Sequence, residues 1–147
     1  MILDEAPADT VKSHHPAFHS APLSDLIADL QAGFATSQRD ERGTVQVRMN
    51  NVTREGQWDW SSITRVPASP SELTFYSLKA GDVLFNNTNS TELVGKSALF
   101  TGHAETVVFS NHFTRLRTNP SLLDPAFLAY RLLQLWKEGE FARICDK

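Results

Sequence analysis

The chain has 147 residues, 41% of them hydrophobic and 21% charged, with a formal net charge of −3. Those values fit one globular domain and exclude wholesale disorder, a collagen-like repeat and a disulfide scaffold. No apolar run approaches the roughly 20 residues a membrane-spanning helix needs, and no basic segment followed by an apolar core opens the chain as a secretory signal would.

A single cysteine, Cys145, leaves no internal disulfide and fits a cytoplasmic setting. The Asn-x-Ser/Thr triplets at Asn51, Asn86 and Asn89 are therefore not read as glycan sites. Charge is uneven. Residues 1–30 carry five acids and one base, whereas the remainder carries thirteen bases and twelve acids. Between residues 39 and 65 every base is an arginine: Arg39, Arg42, Arg48, Arg54 and Arg65. The guanidinium fork suits phosphates and guanine edges; solvated arginines beside Asp40, Glu41, Glu55 and Asp59 are the plainer account.

Residues 1–22 form a loose leader rich in Ala, Pro, His and Ser. Leu23, Leu26, Ile27 and Leu30 then repeat at helical spacing, with Ser24 as the cap and Gly33 as the stop. A polar loop runs to Gly43. Val45, Val47 and Met49 alternate with Gln46, Arg48 and Asn50, which predicts a half-buried strand with Arg48 and Asn50 on its outer face. Asn51 to Gln57 reads as a turn, Trp58 and Trp60 share one face of a further strand, and Pro67 and Pro70 mark a loop. Leu73 to Leu78 is a short apolar segment and Lys79 to Asp82 a turn.

Val83 to Phe85 reads as a buried strand that ends in the tip Asn86-Asn87-Thr88-Asn89-Ser90. Strands over Leu93–Phe100 and Thr106–Phe109 flank a turn at Thr101-Gly102-His103. His112–Arg117 adds another, with Arg115 and Arg117 on one face. Asp124 and Pro125 open a C-terminal helix with an apolar stripe of Phe127, Leu128, Leu132, Leu135 and Trp136, interrupted at Gly139. The expected fold class is α+β: a single domain with a curved, partly open β-sheet, a short helix near the N-terminus and a C-terminal helix.

Catalytic motifs are scarce. Gly95-Lys96-Ser97 resembles the end of a phosphate-binding loop, but Ser90 stands where the first glycine belongs and a strand pattern follows. His14, His15 and His19 lie in the leader without cysteine or carboxylate partners for a metal. No Gly-x-Ser-x-Gly turn, Asn/Asp-Pro-Pro-aromatic clamp or Glu-x-Lys nuclease signature is present. What stands out is a display of amides, hydroxyls and arginines: Gln38, Arg39 and Arg42; Arg48, Asn50, Asn51 and Arg54; Asn86, Asn87, Thr88, Asn89 and Ser90; then Lys96. Such groups read base edges and anchor phosphates, although ordinary turn chemistry also accounts for a run of asparagines.

The segment LKAGDVLFNNTNSTELVGKSALF, Leu78 to Phe100, resembles the signature of the target-recognition domain of type I restriction–modification specificity subunits. LSDLIADLQAGFATS is similar to that family's opening helix and glycine turn. TVQVRMNNVTREGQWDW resembles its R-M-x-N-(I/V)-x-x-x-G strand and turn, and Arg115 to Leu128 its Arg-Leu-Arg strand and Asp-Pro-x-(F/Y)-Leu helix.

The resemblance spans about residues 23 to 142. It implies a non-catalytic reader of one half of a split double-stranded DNA site. Methyltransferase subunits would bind S-adenosylmethionine and methylate adenine, and a motor–nuclease subunit would use ATP and magnesium. This chain would bind no cofactor and no membrane. Many relatives carry Arg where this chain has Asn87. The family's long helix and second recognition domain do not follow Lys147, so residues 23–147 are expected to be a recognition domain cut short. A domain detached from a fused methyltransferase–nuclease, and a remnant working through the Phe127–Trp136 stripe as a protein-interaction module, stay open as alternatives.

Overall fold

In the computed structural model, which describes residues 20–88 and 90–145, seven strands divide between two sheets. Most of the leader, its three histidines and Asn89 lie outside the described residues. The strands are β1 (Ile27–Ala32), β2 (Thr44–Val47), β3 (Thr64–Val66), β4 (Val83–Asn86), β5 (Ser97–Leu99), β6 (Val107–Phe109) and β7 (Phe113–Thr118). The helices are α1 (Pro70–Tyr76), α2 (Pro125–Lys137) and α3 (Glu140–Ile144).

One sheet is antiparallel in the order β1-β7-β4-β5. The other has the order β3-β2-β6, with β2 antiparallel to β3 and parallel to β6. The class is α+β as expected, with two open sheets in place of one curved sheet. The division follows from the tight turn after β6, which carries the chain from the second sheet straight into β7 of the first.

The main core lies between the sheets. Val45, Val47, Val107 and Phe109 of one face Leu84, Ala98 and Phe113 of the other. The period of two puts the alternate residues outward. Val83 and Leu116 meet Leu128, Ala129 and Leu132 of α2. Val66 and Val108 meet Leu73 and Tyr76 beside α1. Each sheet thus has its outer face covered by one helix.

The helix expected over Leu23–Leu30 reduces to a single 3-10 turn, Leu23–Asp25, followed by β1. Helical spacing of four apolar residues is a weak preference, and here strand pairing overrides it. β1 satisfies the edge of β7 from Ile27↔Thr118 to Ala32↔Thr114. The alternation also turns Asp29 toward Arg115, 2.8 Å away, at the cost of leaving Leu30 64% exposed.

Pro70, read as a loop breaker, is the first residue of α1. The missed signal is the capping box Ser69-x-x-Glu72: the Ser69 hydroxyl accepts from the Glu72 N–H, and the Glu72 carboxylate accepts from the Ser69 N–H at 2.7 Å. The Ser69 N–H, and then the Ser69 hydroxyl, donate to this carboxylate and hold the Glu72 carboxyl below its ordinary value. Ser69→Ala should lower stability by about 1 kcal/mol, read from the urea midpoint at unchanged slope.

Asp124 caps α2 as expected, accepting from Ala126 N–H at 2.7 Å and from Phe127 N–H. Within the expected apolar stripe, Phe127 is exposed and Ala129 takes the buried place.

Candidate functional site

Topology brings four connections to one end of the molecule. β1, β2, β4 and β6 all finish there, and β7 begins there. Ala32 pairs with Thr114, Asn86 pairs with Phe113, and Val47 pairs with Phe109. Gly33 N–H donates to Phe113 O and Asn87 N–H to His112 O, both at 3.0 Å. Gly33 is needed for this approach, because a Cβ there would lie 2.2 Å from the Ser110 carbonyl oxygen.

Between these connections lies a groove of about 620 Å³. Its walls are the 34–39 segment, Gln46 to Asn50, and the turn Ser110-Asn111-His112. Beside it, the Thr88 hydroxyl and His112 Nδ1 share a hydrogen bond of 2.8 Å.

Charge at this groove is unbalanced. Arg65, Arg115, Arg117, Arg131 and Arg143 each meet a carboxylate. Arg39, Arg42, Arg48 and Arg54 meet none among the described residues. Of these, Arg39 and Arg48 line the groove. Burial holds the pKa of Arg48 below its ordinary value, and the nearby charge of Arg39 adds to that effect. Arg48 Nη2 donates to Gln46 Oε1 at 3.1 Å, while its buried Nε has no partner. Arg39 Nη1 donates to the Gln38 carbonyl at 2.9 Å and is otherwise exposed.

The expected site residues therefore separate. Arg39, Arg48 and Asn50 line the groove, with Gln38 beside them on the same segment. Asn87 and Thr88 flank it through His112. Asn87 spends its Nδ2 on Thr114 Oγ1 at 2.9 Å, and its Oδ1 is buried without a partner.

Others are committed elsewhere. The Asn51 amide makes three bonds: Oδ1 accepts from Arg48 N–H, and Nδ2 donates to the carbonyls of Asp59 and Ser62. Asn51 sits in the 3-10 turn Met49–Asn51 rather than on a strand face. Asn86 is fully buried, donating to Leu93 O and accepting from Thr88 N–H. Ser90 Oγ accepts from Leu93 N–H. Arg42 lies in a separate cleft beside Arg65 and Glu105. Arg54 stacks over the Trp136 ring at 5.4 Å.

Lys96 is 6% exposed and donates to the carbonyls of Met49 and Val52 at 3.1 and 2.6 Å. It is a strut under the Met49–Asn51 turn rather than a phosphate anchor. Gly95 before it has φ +92 and packs against Phe141, and β5 follows, so the Gly-Lys-Ser run is structural.

Gln46, expected outside, is buried at 1% exposure, where it donates to Phe34 O and orients Arg48. Sequence reasoning missed Ser110, Asn111 and His112. Their signal was a polar triplet between two apolar strands. Among the described residues no group of three or more His, Cys, Asp or Glu side chains is placed to hold a metal. No described helix is long and apolar enough to cross a membrane.

No protein-family model matches the chain. It is 26% identical, over 127 residues, to a protein of Methanocaldococcus jannaschii that carries the name of a type I restriction enzyme MjaX specificity subunit. The match covers 85% of this chain and 30% of that relative, so the chain spans under a third of its length.

Proposed function

We propose that this chain is a DNA-recognition domain of a type I restriction–modification specificity subunit, reading one half of a split double-stranded site. The observation that carries the reading is the groove at the sandwich end. Two arginines without carboxylate partners converge there with exposed amides and with a histidine whose ring is oriented by Thr88. The similarity to the archaeal subunit supports the same role.

Backbone phosphates would be met by guanidinium groups, and base edges by Asn50, Asn111 and His112. Catalysis would belong to partner subunits: methyltransferase subunits with S-adenosylmethionine, and a motor–nuclease with ATP and magnesium. The setting would be cytoplasmic.

The test is selection from a randomised duplex pool at low and moderate salt. An enriched motif of about three to five base pairs supports direct base reading. Asn50→Ala should then lose about 1–3 kcal/mol of discrimination at one position of that motif, measured by competition binding. No enrichment and no binding at either salt would defeat the reading. That outcome would favour protein contact through Phe127 and Tyr130, which stand 61% and 68% exposed on α2.

A further inference from the structure

We propose that the part of the groove lined by Arg48 and Ser110 is a phosphate subsite that holds one phosphodiester of a nucleic-acid backbone. The backbone as the source of the phosphate rests on the DNA-reading role above; the oxyanion chemistry rests on the groove alone.

The parallel pairing of β2 and β6 sets the geometry. Val47 and Phe109 are register partners, and Ser110 N–H donates to Val47 O at 3.1 Å, so Arg48 and Ser110 leave adjacent strand ends side by side. Phe34 bridges to Ser110 from the third side. Gln46, itself buried, accepts from Arg48 Nη2 and donates to Phe34 O. This ties the guanidinium to the groove wall and leaves its Nε–H unused.

The chemistry of the lining selects the ligand. Arg48 Nε and Ser110 Oγ are buried without a partner, and Ser110 is only 4% exposed. Orphaned buried donors are rare, and a ligand that supplies the missing acceptor explains them. Arg39 lines the same space, and like charges so placed favour an anion between them. The acids Asp40 and Glu41 lie in a separate cleft that also touches Arg39.

A guanine edge presents acceptors only and takes the arginine fork bidentately. One arm of that fork, Arg48 Nη2, is already spent on Gln46 Oε1. The unused Nε–H and the Ser110 hydroxyl suit a phosphate oxygen. The rest of the groove, far larger than a phosphate, leaves room for the adjoining sugars and for base contacts at Asn50 and Asn111.

The experiment titrates the full 147-residue chain, labelled with nitrogen-15, with inorganic phosphate against chloride at matched ionic strength. The expected result is a saturable shift of the Arg48 Nε–Hε signal and of the Ser110 amide. Arg48→Gln should weaken half-saturation, followed at the Ser110 amide, by about tenfold. Arg39→Gln, at an exposed position that leaves the strands untouched, should weaken it less. Absence of a saturable shift, or indifference of it to both variants, overturns the subsite.

A second arm measures duplex binding against salt. Arg48→Gln should flatten the salt slope by about one unit and leave the selected base motif unchanged. A change of preferred base instead makes Arg48 a base reader and overturns the proposal. Saturation by phosphate with no duplex binding at all would overturn the backbone as the source and the DNA-reading role together, while supporting a site for free phosphate.

Discussion

Arg117→Met is expected to destabilise the protein by about 3–5 kcal/mol, the range for removing one partner of a buried ion pair. Asp82 is 2% exposed, and its carboxylate accepts from Arg117 Nε at 2.6 Å, from Arg117 Nη2 at 3.0 Å and from Lys79 N–H at 2.8 Å. Methionine replaces the arginine stem but leaves a buried carboxylate with one backbone donor.

The pair is asymmetric. The Arg117 side chain is 27% exposed, so after Asp82→Ala water can reach the orphaned guanidinium, and that variant should lose less. The carboxylate raises the pKa of Arg117 above its ordinary value through hydrogen bonds and charge, so Arg117 stays charged through the neutral range. Urea unfolding of both variants at neutral pH is the measurement; a loss in Asp82→Ala equal to or larger than that in Arg117→Met would refute the account.

The same pair shows how much of the fold was legible. The Lys79–Asp82 turn and the shared face of Arg115 and Arg117 were both readable, the first from turn chemistry, the second from the period of two. Their purpose was not. Arg115 lies over the Phe109 ring at 5.4 Å and donates to the carbonyls of Phe75 and Ser77, while Arg117 donates to Ser77 and Asp82. Both arginines thus tie the end of α1 to the four-stranded sheet, across sequence separations that no local pattern encodes. β1 failed for a related reason. Leu23 to Leu30 has helical spacing, but the decisive partner is the edge of β7, almost ninety residues away.

The candidate site was legible in composition and not in assignment. Arginines and amides between strands mark a polar end of the molecule, and that end exists. Which amides face outward depends on backbone carbonyls left open elsewhere. Asn50 and Asn51 are neighbours of identical type. One is exposed on the groove; the other closes on Asp59 and Ser62 because the chain after the Met49–Asn51 turn folds back at Trp58, which bridges to Val52. Asn86 differs from Asn87 in the same way, drawn inward to the carbonyl of Leu93, which its Nδ2 shares with the Lys96 N–H. The Ser110–His112 turn escaped notice because its importance comes from the change of sheet it makes.

Lys96→Met separates structure from recognition most sharply. The ammonium bridges the carbonyls of Met49 and Val52 from beneath. Methionine fills the channel but donates nothing. The Met49 carbonyl keeps the Val52 N–H at 3.3 Å, whereas the Val52 carbonyl loses the Lys96 donor, and a buried carbonyl left without a donor costs about 1–3 kcal/mol. The variant should thus lose about 1–3 kcal/mol in urea unfolding. Burial, and then the charge of Arg54, hold the Lys96 pKa below its ordinary value of 10.5. Between the lowered value and 10.5 the unfolded chain carries more of this proton than the folded one, so the contribution of Lys96 to stability rises with pH across that window. The gap between wild type and Lys96→Met should therefore widen as the solution is made alkaline. In duplex binding the salt slope should stay at its wild-type value, because no phosphate contact is removed. Preference should weaken only at the base met by Asn50, whose turn has lost its support. A slope flatter by about one unit at unchanged stability would instead place Lys96 on a phosphate.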